Sequence, residues 1–113
     1  MSMENNSGRK FKLQEVIREI VSKFINIENN KTSLITITRV DLSPNLSSCD
    51  IYFTAFPESA EESALNFLKR KRADVKTEIK RKMNLRRIPF VDFKIDMGEK
   101  NRQKIQDISQ HLN

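Results

Sequence analysis

Several residue types are scarce in this chain, and each scarcity excludes a class of site. The 113 residues include one cysteine, one histidine, two glycines and no tryptophan. The single cysteine, Cys49, cannot form an internal disulfide or a cysteine-based zinc site. His111 has no cysteine or carboxylate at the spacing of metal ligands, and two glycines are too few for a glycine-rich phosphate loop. Because no serine is matched to a nearby base and acid either, we expect no catalysis, no metal and no cofactor.

Long apolar runs are also absent. No run approaches the roughly 18 residues that span a bilayer, and the first dozen residues are polar and charged. We therefore expect a cytoplasmic protein with no membrane partner. A hydrophobic content of 37% is low, yet the apolar residues recur periodically. The chain is thus predicted to fold as one domain over residues 9–112, after a flexible start at residues 1–8.

One segment holds the excess of positive charge. Between Lys69 and Arg87, ten basic residues meet two acidic ones, giving a net charge of +8 in a chain of net +6. This excess is more than pairing along a helix can neutralise, which is typical of a surface that faces phosphates. The alternative is that these residues form a helix face exposed to solvent, whose charges only keep the domain soluble. The candidate RNA-binding residues are Lys69, Arg70, Lys71, Arg72, Lys76, Lys80, Arg81, Arg86 and Arg87.

Apolar periodicity predicts a helix followed by a pair of strands. Apolar residues at spacings of three and four place one stripe on a helix over residues 9–27. The β-branched run Thr32–Leu42 changes its apolar phase, which predicts a bulge near Arg39. A turn at Ser43–Asn45 separates this run from the next strand. The two strands are predicted to pair antiparallel.

Two later segments alternate as strands do. Apolar residues at every second position from Cys49 to Phe53 are predicted to face the core, with Tyr52 on the other face. A third strand is predicted after Pro89, over Val91–Ile95. Beyond it, apolar residues at helical spacing predict a short C-terminal helix that carries Ile105, Ile108 and Leu112.

A break is predicted inside the helical segment between the second and third strands. Ser59 and Glu62 form a capping box at its start. Arg72 interrupts the apolar stripe, so we expect a break at Lys71–Ala73, with Asp74 as the N-cap of the second helix. A straight helix with the Arg72 side chain snorkelling to solvent is the alternative.

Aromatic residues give little support for stacking on RNA bases. Four of them lie on apolar stripes and are predicted to be core residues: Phe11, Phe24, Phe53 and Phe93. Phe90 is out of phase with the stripe of its strand, so we expect an exposed ring, for which packing at a sheet edge is favoured over stacking. The role of Tyr52 stays open. Recognition of RNA backbone and shape is the favoured mode.

The predicted order of elements, helix-strand-strand-helix-kink-helix-strand with a short C-terminal helix, is an α+β fold that resembles the type II KH domain. We expect a three-stranded sheet covered on one face by helices. Four segments also resemble, in the right order, the bacterial ribosome-binding factor A family: Val40–Leu46, Cys49–Phe53, Leu85–Pro89 and Phe93–Asp96. The resemblance covers roughly residues 9–108.

Membership of that family would imply a non-catalytic assembly factor. Such a factor binds the immature small (30S) ribosomal subunit and its 16S rRNA, assists late rRNA processing, and matters most in the cold. It is expected to be monomeric when free. The family carries Ala-x-Gly between its two helices, where this chain has Lys71, Arg72 and Ala73. Because alanine is strained at a φ above zero, the kink is expected to be milder or to use other dihedral angles.

Two functions of different class stay open at this point. The first is the ribosome assembly factor, bound through its basic helix pair. The second is a small non-catalytic protein-interaction module whose basic face binds an acidic partner. A steep salt dependence of rRNA binding would favour the first, because neutralising phosphates releases counterions.

Overall fold

The structure, a computed structural model, describes residues 2–29 and 33–102 of the chain. Its elements follow the predicted order. They are α1 (Ser2–Glu28), β1 (Leu34–Leu42), β2 (Ser48–Phe56), α2 (Glu61–Arg70), α3 (Arg72–Lys82) and β3 (Phe90–Ile95). A 3-10 turn at Glu58–Ala60 precedes α2, and residues 97–102 are helical. The predicted C-terminal helix with Ile105, Ile108 and Leu112 lies outside the described residues.

The strands form one sheet in the order β1-β2-β3. Strand β2 pairs antiparallel with β1 and parallel with β3. The register between β1 and β2 shifts between Ile37 and Arg39, which confirms the predicted bulge. In the turn between them, the Ser43 hydroxyl accepts hydrogen bonds from the backbone N–H groups of Ser47 and Ser48, each at 3.0 Å. This local network fixes the register of the hairpin.

The helices cover one face of the sheet, as predicted. Cys49, Ile51 and Phe53 are fully buried against them, and Tyr52 is half-buried on the other face. Burial, with smaller effects of the negative charges of Asp50 and Asp41, raises the pKa of the Cys49 thiol to about 12. The thiol is therefore protonated and inert near neutral pH. The core residues are Ile17, Val21, Ile25, Ile35, Ile37, Val40, Leu42, Cys49, Ile51, Phe53, Ala64, Leu68, Val75, Ile79, Val91 and Phe93.

The helix pair is broken at Lys71, which confirms the predicted interruption and excludes the straight helix. Lys71 has φ −91° and ψ 2°, and its N–H is shared between the carbonyl oxygens of Phe67 at 3.2 Å and Leu68 at 3.0 Å. Ala73 lies inside α3, and in the described residues Leu46 is the one non-glycine residue with a positive φ. The break is thus made at a negative φ, in the bridge region of backbone space, which does not require glycine.

Two predicted helix caps were wrong. Ser59 lies inside the 3-10 turn, so α2 starts after Ala60, and no side chain caps it there. The backbone supplies the first bond instead, because the Ala60 N–H donates to the Pro57 carbonyl at 2.9 Å. Lys71 occupies the N-cap of α3, which leaves Asp74 in the first turn. Its carboxylate lies 3.8 Å from the Lys71 Nζ.

Helix α1 differs from its prediction in two respects. It begins at Ser2, seven residues before the predicted start, although the flexibility of residues 1–8 stays a prediction. Phe11 was predicted to be core but is 60% exposed. Ile17, Val21 and Ile25 define the buried face, and Phe11 lies six residues, about 1.7 turns, before Ile17, the first of them. No helix in the described parts of the chain has the length and apolarity to cross a membrane.

Candidate nucleic-acid interface

The nine candidate residues, called here the basic surface, come from the helix pair and the loop that follows it. Lys69 and Arg70 end α2, Lys71 is the break, and α3 carries Arg72, Lys76, Lys80 and Arg81. Arg86 and Arg87 lie in the loop before β3. Both α2 and α3 pack against β3, so the fold holds this charge beside the edge strand of the sheet.

Four of the nine cations are paired with carboxylates of the same molecule. Asp92, on β3, lies 3.4 Å from the Arg72 guanidinium and 3.9 Å from the Lys69 amine. Glu28, at the end of α1, lies 3.3 Å from the Lys71 amine. Arg81 pairs with Glu78, one helical turn away, at 2.6 Å. These pairs reduce the positive charge at the break.

The charges of the other five cations are not balanced by a neighbouring carboxylate. No carboxylate of the described residues lies within ion-pairing distance of Arg70, Lys76, Lys80, Arg86 or Arg87, and all five side chains are exposed. An exposed cation without a carboxylate partner is available to a phosphate without first losing an ion pair. The structure therefore separates the basic surface into a paired centre and an unpaired set.

Backbone donors add to the charge at the start of α3. The first hydrogen bond of this helix runs from the Val75 N–H to the Lys71 carbonyl at 2.9 Å, so the N–H groups just before Val75 have no partner in the helix. No side chain of the described residues caps them. Such N–H groups bind anions, and the helix dipole favours a negative charge at this end.

An open groove of about 320 Å³ runs between the helix break and the start of β3. Its walls include the side chains of Lys69, Arg70, Arg72 and Lys76. Phe90 also lines it and is 60% exposed, which confirms the expected exposure of this ring. Lys80, another of the nine candidate residues, does not line the groove.

The open face of the sheet carries a row of acidic residues. Asp41, Asp50 and Asp92 occupy one row across the three strands, because Asp50 pairs in register with both of the others. Their chain neighbours are buried, so the three carboxylates lie on the face that the helices leave open. Lys94 pairs with Asp50 at 3.1 Å. Arg72 also pairs with Asp92, at 3.4 Å, so two of the three carboxylates are already matched by cations.

Sequence reasoning missed the acidic partners of the basic surface. Asp92 is 20 residues from Arg72, and Glu28 is 43 residues from Lys71. In the sequence, Asp92 is only the polar position of an alternating strand. Neither pairing has a local signal, because both depend on where the strand and the helix end lie in the folded chain.

Replacing Asp92 with asparagine is expected to strengthen RNA binding. The change releases Lys69 and Arg72 from their shared carboxylate, and surface ion pairs of this kind are worth about 0 to 1 kcal/mol. Affinity for small-subunit RNA should rise by about two- to fivefold. Fluorescence anisotropy with a labelled rRNA fragment measures the change. Glu19→Gln, which frees Lys23 on α1 from its partner at 3.2 Å, is the matched control. An equal gain from both variants would mean that only net charge matters.

Comparisons with known proteins agree with this architecture. A family model described as Ribosome-binding factor A matches residues 9–109 of the chain. Ribosome-binding factor A of Macrococcus caseolyticus is 29% identical over 110 residues, which cover 95% of this chain and 96% of that protein.

A crystal structure and a fitted model of relatives show the same similarity in three dimensions. The crystal structure of ribosome-binding factor A from Thermus thermophilus is 28% identical, with a TM-score of 0.69 over 76% of this chain and 94% of that chain. A homology model of the Thermus thermophilus ribosome binding factor A, fitted into a cryo-EM map of a 30S complex, has a TM-score of 0.66 at 28% identity. It covers 76% of this chain and 93% of that chain.

Proposed function

This chain belongs to the ribosome-binding factor A family, and from that membership we propose that it binds the small (30S) ribosomal subunit through its basic surface while the 16S rRNA is still maturing. It is a ribosome-binding factor, a non-catalytic kind of protein that acts in ribosome biogenesis. Its role is to assist late processing of the 16S rRNA, above all in the cold.

The unpaired set of cations carries this proposal. Arg70, Lys76, Lys80, Arg86 and Arg87 are exposed, have no carboxylate partner in the described residues, and belong to the helix pair and the loop that follows it. A solvated helix face would not require such an excess, because helical cations are usually balanced by acids one turn away, as Arg81 is by Glu78. The 30S complex of the Thermus thermophilus relative supports the choice of the small subunit.

Binding to immature small subunits should depend steeply on salt. If each of the five unpaired cations neutralises one phosphate, the log-log plot of affinity against salt should have a slope of about −3.5 to −4.5. Co-sedimentation of the full chain with immature and mature small subunits, repeated at several salt concentrations, measures both preference and slope. A shallow slope with retained subunit binding would favour the other function, an acidic protein partner, and absence of binding would overturn the proposal.

The role in rRNA processing needs a separate measurement. Cells that lack this protein should accumulate unprocessed 16S rRNA at low temperature, and the unchanged chain should reverse that defect. A variant with the unpaired cations reversed should fail to do so. Normal processing in the cold without the protein would remove the processing role and leave the binding role standing.

A further inference from the structure

We propose that Phe90 is a stacking platform for one unpaired RNA base, and that the cations of its groove hold the phosphates on either side of that base. The inference rests on the proposed function and makes it more specific, because it names the kind of RNA that the groove accepts. The ligand is a single-stranded or flipped-out nucleotide, whose base is free to leave its neighbours.

The backbone that carries the Phe90 ring is anchored on both sides. Its neighbours Pro89 and Val91 are both buried, and its backbone N–H donates to the Ser47 carbonyl at 2.9 Å. These anchors fix the backbone on both sides of an exposed ring. Little backbone entropy therefore remains to be lost when a base covers that ring, which favours binding.

The groove has the composition of a nucleotide site. A nucleotide has an apolar base face and a charged phosphate, and the groove offers one apolar ring among four cationic side chains. Arg70 and Lys76 are the two of these four without a carboxylate partner in the described residues. Its volume of about 320 Å³ lies at the lower end of the range, roughly 300–1,000 Å³, of sites for small ligands.

A base is a better occupant of this groove than an apolar segment of another protein. A protein partner would need a contiguous apolar surface, whereas four of the seven residues that line this groove are cations. Base stacking on an aromatic ring tolerates such surroundings, because the charges meet the phosphates. A duplex does not fit the proposal, since its bases are already stacked and paired.

Other aromatic rings are worse placed for this role. Tyr52 is already covered, because the Arg39 guanidinium lies 4.0 Å from its ring centre. Phe56 and Phe11 are exposed, but neither lines the groove. Phe90 therefore combines an exposed ring with the phosphate-binding charges, and Phe56 offers a matched control.

Phe90→Ala is expected to lower affinity for a short single-stranded RNA by about 5- to 150-fold, the loss expected for one stacked base. The probe carries 2-aminopurine, whose fluorescence is quenched on stacking, and a duplex of the same length is measured beside it. The variant should lose the quenching and bind the duplex almost unchanged. Its log-log salt slope should stay the same, because a ring releases no counterions.

Three further variants test whether binding requires an aromatic ring at position 90. Phe90→Tyr should keep the affinity, Phe90→Leu should lose it although it preserves an apolar side chain, and Phe56→Ala should change it by less than about twofold. Thermal unfolding of each variant identifies any loss of fold. Because Phe90 is exposed, Phe90→Leu is expected to fold, and it tests the ring even where Phe90→Ala is unstable.

The stacking proposal fails if Phe90→Leu binds single-stranded RNA as the unchanged chain does, or if single-stranded and duplex RNA are weakened equally. Loss of subunit binding with unchanged RNA binding would also overturn it, since the ring would then contact a ribosomal protein. If Phe90 variants bind normally while reversal of Arg70 and Lys76 abolishes RNA binding, the proposed function stands and only the stacking platform is wrong. If the unchanged chain binds no RNA, both fail.

Discussion

Reversing Arg70, Lys76 and Lys80 to glutamate is expected to weaken binding to small-subunit RNA on the order of 100-fold at about 0.1 M salt. All three side chains are exposed and lack a carboxylate partner in the described residues, so each is available to a phosphate. Each lost phosphate contact removes about 0.7 to 0.9 from the log-log salt slope. The triple variant should therefore bind with a slope smaller by about two to three.

A matched reversal on α1 separates position from net charge. Arg9, Lys10 and Lys12 lie on α1, and their reversal changes the net charge of the chain by the same amount. They lie at least 16 residues, or about 24 Å along the helix, before Glu28, which contacts Lys71 at the break, and beyond about 10 Å salt largely screens their effect on a phosphate there. We expect a loss about tenfold smaller than that of the first variant, with melting temperatures of both variants close to that of the unchanged chain. Equal losses would show that the basic surface does not face the RNA.

Phe53→Ala is expected to cost about 3 to 5 kcal/mol of the free energy of unfolding. Phe53 is fully buried in β2, the central strand, so its loss leaves a cavity between the sheet and the helices. A small domain has about 5 to 15 kcal/mol in total, which makes this change a large fraction of its stability. Urea unfolding followed by circular dichroism gives the difference from the shift in midpoint.

The control for Phe53→Ala lies on the same strand. Phe56 is 71% exposed, so Phe56→Ala removes the same side chain with little loss of burial. Its effect should stay within about 0.5 kcal/mol. Similar losses from both variants would contradict the assignment of one buried face to β2.

Most of the fold could be predicted because its signals are local and periodic. Buried residues recur every fourth position at Ile17, Val21 and Ile25, and every second position from Cys49 to Phe53, and these two periods are those of a helix and a strand. The charged residue Arg72 in an apolar stripe likewise predicted the helix break. Helix starts were predicted poorly, because backbone groups could replace the expected side-chain caps at Ser59 and Asp74.

The candidate site was predictable in part. The sequence located the basic segment, since charge adds up along the chain whatever the fold. It could not tell Arg72, which Asp92 pairs at 3.4 Å, from Arg70, which has no carboxylate partner among the described residues. Nor could it place Phe90 in the same groove as Lys76, because the two residues belong to different elements.

The sequence by itself determined the family, the α+β order of elements, the break between the two helices and the segment that carries the positive charge. These properties depend on residue type and on spacing along the chain. Only the tertiary structure decided which cations remain available and which of the exposed rings lies beside them. Each of those properties depends on distances between residues far apart in sequence, and Coulomb energy and burial change with such distances.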